Sequence, residues 1–245
     1  MTLQQLATAG IRGWYSTFAS AGSEVASFGS AQSVLTTLRP ERSLLNAAVY
    51  DDPDDVPLDE LAAFFEPVAA WCLWVQPGHD DLVAACEARG MVIDGTPMMM
   101  AAPLRDVDIA SRDVAAEIGF ATWSEMAAIN EPAYGMPNDQ FGVVLRQLST
   151  DGYHLAVARR DGVALACSGA HVADGNAHVV FVATLPDARR QGLAAECMRT
   201  VLRAVAADGC TTTTLEASRA GEPIYTAMGY ESIGRYRMME ARRAE

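Results

Sequence analysis

Metal-ligand spacing is missing from this sequence. Its four histidines (His79, His154, His171, His178) include no H-x-x-x-H pair, and its five cysteines (Cys72, Cys86, Cys167, Cys197, Cys210) include no C-x-x-C. No metal site is expected, and the odd, scattered cysteines read as reduced thiols of a cytoplasmic protein rather than a disulfide framework. The N-terminus lacks a basic stretch leading into an apolar core, so no signal peptide is expected. No uninterrupted apolar run is long enough to cross a bilayer. Positive charge is also short: 18 Lys and Arg stand against 31 Asp and Glu, a net charge of −13. Such a surface repels phosphate backbones and anionic lipid, so neither nucleic acid nor membrane is an expected partner. It suits a cationic substrate, and equally it is the ordinary route to solubility.

What is present is enough for a packed core. Half of the 245 residues are hydrophobic and a fifth are charged, which excludes global disorder and allows one large domain or two small ones. Apolar residues at helical spacing predict an N-terminal helix through Leu3, Leu6, Ile11, Trp14 and Phe18, and further helices over 58–69, 80–89, 123–134 and 140–148. Strands are predicted at 33–38, 44–50, 71–75, 91–93 and 98–102. The second half adds strands at 154–159, 164–172, 177–185, 211–217, 230–233 and 236–239, with Asp161-Gly162 and Asp174-Gly175-Asn176 as hairpin turns. The stretch 111–119 is ambiguous. Trp71-Cys72-Leu73-Trp74 and Met98-Met99-Met100 read as core or interface packing, which leaves a homodimer open.

A repeat lies in this pattern. Shifted by 139 positions, Gly90 falls on Gly229, Gly95 on Gly234, Met99 on Met238 and Met100 on Met239. Helix, glycine, strand, turn and strand match in type as well as in place, as a decayed duplication would leave them. The fold expected is α/β (α+β), two domains each with a mixed, mostly antiparallel twisted sheet flanked by helices. Residues 1–104 would form the smaller one, 105–115 a charged connector, and 116–245 the second.

One segment carries chemistry. A strand ends at Pro186, a loop with Arg189 and Arg190 follows, and a helix starts near Gly192. A helix N-terminus offers unpaired N–H groups and the positive end of the dipole, which together make an anion site suited to a pyrophosphate. Gly192 lets the backbone approach a ligand, and the small Ala194 does so further in. If the strand over 177–185 splays from the strand over 211–217, an amide-bearing ligand arm could pair with its free edge. Coenzyme A has both halves of that match.

Leu185 to Ala194 resembles the coenzyme A loop of the GNAT N-acetyltransferase superfamily, whose core is Arg/Gln-x-x-Gly-x-Gly/Ala. Arg189, Gly192 and Ala194 occupy its three defined positions, Ala194 standing where glycine is commoner. Tyr225-Thr226-Ala227-Met228-Gly229-Tyr230 resembles the family's later Tyr-x-x-x-Gly-Phe/Tyr element, and the resemblance covers about residues 116–245. It implies that 116–245 is a catalytic domain and that 1–104 is a degenerate copy without the loop. It implies acetyl-CoA as co-substrate. Backbone groups of Val182, Ala183 and Thr184 would hold pantetheine, and those of Arg190, Gln191, Gly192, Leu193, Ala194 and Ala195 the pyrophosphate, with Arg189 and Ser218 counted among the coenzyme-binding positions. Tyr225 would sit near the thioester sulfur.

Acyl transfer to an amine needs an N–H donor for the oxyanion, an acid for the departing thiolate and a base for the ammonium. A phenol near pKa 10 makes Tyr225 a candidate acid; packing against the coenzyme is the alternative. Glu216 is the leading candidate base, placed by strand alternation on one face with Thr212, Thr214 and Ser218. Glu125 and Glu131 are rivals, and His171 and His178 read as packed strand residues. The expected activity is N-acetylation of a primary amine, on a small molecule or a peptide. The competing expectation is a non-catalytic acyl-CoA-binding or regulatory protein.

Overall fold

A computed structural model describes residues 1–136 and 139–243. In chain order the helices and strands are α1 (Leu3–Ser16), β1 (Glu24–Phe28), β2 (Ala31–Leu35), β3 (Ala47–Tyr50), α2 (Leu58–Phe64), β4 (Ala70–Val75), α3 (Asp80–Glu87), β5 (Val92–Gly95) and β6 (Met98–Pro103). There follow β7 (Glu117–Phe120), α4 (Trp123–Ala133), α5 (Gly142–Leu145), β8 (Tyr153–Arg160), β9 (Val163–Ala173), β10 (Asn176–Thr184) and α6 (Leu193–Ala207). The chain closes with β11 (Thr212–Ala217), α7 (Glu222–Ala227), β12 (Glu231–Arg235) and β13 (Arg237–Arg242). The predicted elements are recovered with shifted ends. Two strands are added: β1, which carries no buried residue, and β7, which settles the ambiguous stretch. An edge strand with few apolar side chains has little periodicity to read.

Two mixed sheets form, in the orders β1-β2-β3-β4-β13-β5 and β7-β8-β9-β10-β11-β6-β12. Apart from the extra β7, their pairing is the same step by step: antiparallel, antiparallel, parallel, antiparallel, antiparallel. The match supports the internal repeat and adds an exchange. β6, from the first half, lies between β11 and β12 of the second sheet, and β13, from the second half, lies between β4 and β5 of the first. Strand pairing therefore crosses the boundary expected at residue 104.

Each sheet buries both faces. α2 and α3 cover the outer face of the first sheet through Leu61, Leu82 and Cys86. α6 covers the outer face of the second through its apolar stripe Leu193, Cys197, Val201 and Val205, none more than 2 % exposed. Burial of each such aliphatic side chain is worth about 1.5–3 kcal/mol. Between the sheets lie α1 and α4, whose Ile11, Trp14, Trp123 and Met126 join one core. α1 starts on a capping box: Thr2 Oγ1 accepts from the Gln5 N–H (3.2 Å) while the Gln5 side chain accepts from the Thr2 N–H (2.8 Å). Among the described residues no helix is long and apolar enough to cross a membrane.

Candidate active site

The parallel pair β10–β11 is short. Asn176 to Val179 pair with Thr212 to Leu215, and there the pairing stops, although β10 runs on to Thr184 beside β9. The cause is a bulge: the β10–β9 register slips between Val180 and Ala183, and Phe181 takes φ +55°. A left-handed phenylalanine costs on the order of 1–3 kcal/mol and persists only where its surroundings hold it. Here the ring packs edge-on against Trp14, Trp123 and Phe141 (centroids 5.7, 5.9 and 6.2 Å apart). The Phe181 carbonyl accepts from Cys167 Sγ (3.3 Å) and Asn130 Nδ2 (3.4 Å). Val182, Ala183 and Thr184 thus present to β11 an edge that has no strand partner among the described residues.

Past the bulge the chain makes one tight turn, Pro186–Ala188, and reaches α6 through two left-handed residues, Arg190 (φ +62°) and Gly192 (φ +74°). A Cβ on Gly192 would meet only Val114 Cγ1, at 3.9 Å, so the backbone angle, not space, favours glycine here. The first helical bond is donated by the Glu196 N–H to the Gly192 carbonyl (3.0 Å), and no side chain caps this end. The amides of Leu193, Ala194 and Ala195 have no helical acceptor. Arg189 turns away from them and donates to the Ala133 carbonyl at the end of α4 (2.7 Å), while Arg190 is exposed. Gln191 Oε1 accepts from Arg160 Nη2 (2.6 Å), which brings a cation not singled out in the sequence to the loop. An open pocket of about 370 Å³ runs along Leu185 to Ala188, between Arg160 and Leu165.

The topologically equivalent loop of the first half, between β3 and α2, is Asp51-Asp52-Pro53-Asp54-Asp55-Val56-Pro57. Four carboxylates stand where the second half has two arginines, and α2 opens on Pro57 with Asp59 and Glu60 in its first turn. This end repels phosphate, and the loop before α6 does not share its acidic character.

Tyr225 lies in α7 and is buried. Burial first, and the nearby Tyr134 second, hold its phenol well above the ordinary range. Tyr134, absent from the sequence-derived candidates, caps α4 and its hydroxyl donates to the Val182 carbonyl (3.3 Å) on the unpaired edge of β10. Nothing in the local sequence marks it, because its place over β10 depends on how α4 docks. Ser218 has a local role: its Oγ accepts from the Gly221 N–H (3.3 Å) at the start of α7.

The three candidate carboxylates separate cleanly. Glu131 is consumed as a cap: its oxygens accept from the N–H groups of Asp139 (2.7 Å), Phe141 (2.8 Å) and Gly142 (2.9 Å). Glu125 accepts from Thr122 and from Arg159 (2.8 Å). Burial alone would raise its pKa, but these bonds outweigh that and hold it below the usual range. Glu216 is the first β11 residue beyond the last β10 partner, so it stands where the strands part. Its Oε2 is 3.2 Å from His178 Nε2, and its Oε1 is buried with no partner.

Residues 123–230 match the acetyltransferase (GNAT) family. No curated protein matches the chain. Among solved structures, a GCN5-related N-acetyltransferase from Kribbella flavida is similar over 98 % of this chain and 96 % of its own, with a TM-score of 0.69 and 21 % identity. A tandem GNAT protein from the clavulanic acid biosynthesis pathway is similar over 89 % of this chain and 80 % of its own (TM-score 0.61, 12 % identity). A GCN5-related N-acetyltransferase from Sphaerobacter thermophilus covers 88 % and 78 % (TM-score 0.59, 17 % identity). At these identities the likeness is one of fold, and it spans both sheets.

Proposed function

We propose, from the match of residues 123–230 to the acetyltransferase (GNAT) family, that the protein is an acetyl-CoA-dependent N-acetyltransferase acting on a primary amine. The observation that carries this reading is the junction of two unpaired backbone sets: the edge of β10 beyond Val179 and the amides at the start of α6. One suits an amide-bearing arm, the other a pyrophosphate, and coenzyme A has both. Val182 to Thr184 pair with pantetheine, and the Tyr134 hydroxyl gives up the Val182 carbonyl to it. The amides from Arg190 to Ala195 take the pyrophosphate, with Arg190 and Arg160 supplying charge.

The thioester then lies where β10 and β11 part, near Glu216. The free amine attacks the thioester carbon, and a backbone N–H at the β10 bulge stabilises the oxyanion. The C–S bond breaks as the C–N bond forms. Tyr225 donates a proton to the departing sulfur, and Glu216 takes the proton released from nitrogen. Burial keeps the Tyr225 phenol protonated, and the same desolvation raises the basicity of the thiolate it must protonate.

The test is calorimetric titration with coenzyme A, followed by a thiol-release screen with acetyl-CoA against amines, amino sugars and peptides. We expect one coenzyme per chain and release for at least one amine. The chain contains no lysine, so acetylation of its own lysine side chains adds no background. Binding without release for any amine would make it an acyl-CoA-binding protein; absence of binding would sink the reading.

A further inference from the structure

A file of buried polar side chains runs along one face of β10 and β11 and ends at Glu216. Thr212 Oγ1 donates to Asn176 Oδ1 (3.1 Å), and Asn176 Nδ2 donates to Thr214 Oγ1 (2.9 Å). Thr214 Oγ1 is 3.1 Å from His178 Nδ1, and His178 Nε2 is 3.2 Å from Glu216 Oε2. The file exists because the two strands are parallel and in register, which places Asn176 beside Thr212 and His178 beside Thr214. Asn176, His178 and Thr214 are all buried. α1 closes over them at Gly10, where a Cβ would stand 2.5 Å from His178 Nδ1.

The hydrogen positions follow from counting donors. The Thr214 hydroxyl, with one lone pair filled by Asn176, can either donate to His178 Nδ1 or accept from it; Glu216 decides, because a carboxylate only accepts and so favours the ring proton on the nitrogen that faces it. Nδ1 is then the acceptor, and the ring proton sits on Nε2, the atom that faces Glu216. Every donor in the file points toward the carboxylate. The contact itself is incomplete: Nε2 and Oε2 are close, but the N–H is out of line, and Glu216 Oε1 has no donor. A buried donor and a buried acceptor are both unmade at the point where β10 and β11 part, and a group bearing N–H would complete the acceptor.

We propose that His178 is a positioning residue for Glu216, set as its Nε2–H tautomer between Thr214 and the carboxylate, so that Nε2 faces Oε2 and completes that bond when the acceptor amine engages Oε1. The inference rests on the acetyltransferase reading. In the transfer step the amine proton passes to Oε1, and the proton on Nε2 stays on the imidazole. His178 therefore orients and solvates the base without itself changing charge.

The experiment is long-range proton–nitrogen NMR on histidine-labelled protein, with and without coenzyme A, together with the Thr214→Val, His178→Gln and His178→Leu variants. The wild type should show His178 as the Nε2–H tautomer at neutral pH, and Thr214→Val should show a mixture. His178→Gln keeps an N–H donor and should retain much of the turnover. His178→Leu should lose ten-fold or more in kcat, with the acidic limb of its pH profile displaced and coenzyme affinity unchanged. An Nδ1–H tautomer in the wild type, or a His178→Leu profile identical to wild type, overturns this inference and leaves the acetyltransferase reading standing. A protein that binds no coenzyme overturns both.

Discussion

Met99 and Met238, which lie 139 positions apart at equivalent places in the repeat, have exchanged sheets. Met99 pairs with Glu216 in the second half's sheet, and Met238 pairs with Trp74 in the first half's. Among the described residues, β12 has β6 as its only strand neighbour, and β5 has only β13. Separating the halves removes one internal strand from each sheet and leaves another strand with no partner. The fully buried Met99 and Met100 lose their places with it. Fragments 1–110 and 111–245 are expected to be unfolded alone and to recover a dispersed NMR spectrum on mixing. The intact chain should unfold in one transition. A folded isolated fragment would show that the exchange is dispensable.

Gly192 is the position where the loop before α6 is most sensitive to substitution. Its φ of +74° is disfavoured for a β-branched residue, and its carbonyl starts α6. Gly192→Val should cost about 1–2 kcal/mol of stability and weaken coenzyme A binding at least ten-fold by calorimetry. Retained affinity would move the pyrophosphate site elsewhere.

Tyr225→Phe should keep coenzyme affinity, because the buried ring is unchanged, and lower kcat about 10²-fold, the usual worth of a general acid. Since burial raises the phenol's pKa, Tyr225 stays protonated across the neutral range. No loss of activity below about pH 10 should trace to it. Steady-state kinetics across pH separates this from a packing role, which would leave kcat intact.

Glu131→Gln should cost stability and leave chemistry alone. The carboxylate accepts three backbone N–H groups with little solvent access. An amide keeps only one acceptor oxygen, so at least one N–H loses its partner, at about 1–3 kcal/mol. Urea unfolding measures the loss. A drop in turnover at saturating substrate, with stability unchanged, would return Glu131 to the list of bases.

His171 makes the fold sensitive to acid. Burial first, and the nearby His178 second, lower its pKa from about 6.5 to about 4. The unfolded chain therefore binds the proton more readily, and the stability from the neutral imidazole is complete above pH 6.5. It is lost as pH falls toward 4, at no more than about 1.4 kcal/mol per pH unit, and less because the ring is only partly buried. Urea midpoints at pH 7.5 and 5 should differ, and His171→Gln should narrow the gap. An equal gap in the variant would clear His171.

The sequence by itself determined the elements and the repeat and marked the loop before α6, because each is written in local periodicity and turn chemistry. Strand, Pro186, Gly192 and the stripe of α6 need only neighbours within a few residues to be read. Only the tertiary structure decided which carboxylate is free. Glu125, Glu131 and Glu216 are the same kind of residue in sequence, and they differ in what packs beside them: Thr122 and Arg159, the Asp139 to Gly142 amides, and His178. The strand exchange was likewise invisible. β6 and β13 carry the same pattern at equivalent places in the repeat, so either strand suits either sheet. Short-range pattern states that a strand forms; the choice of partner is made by long-range contacts that no window of sequence contains.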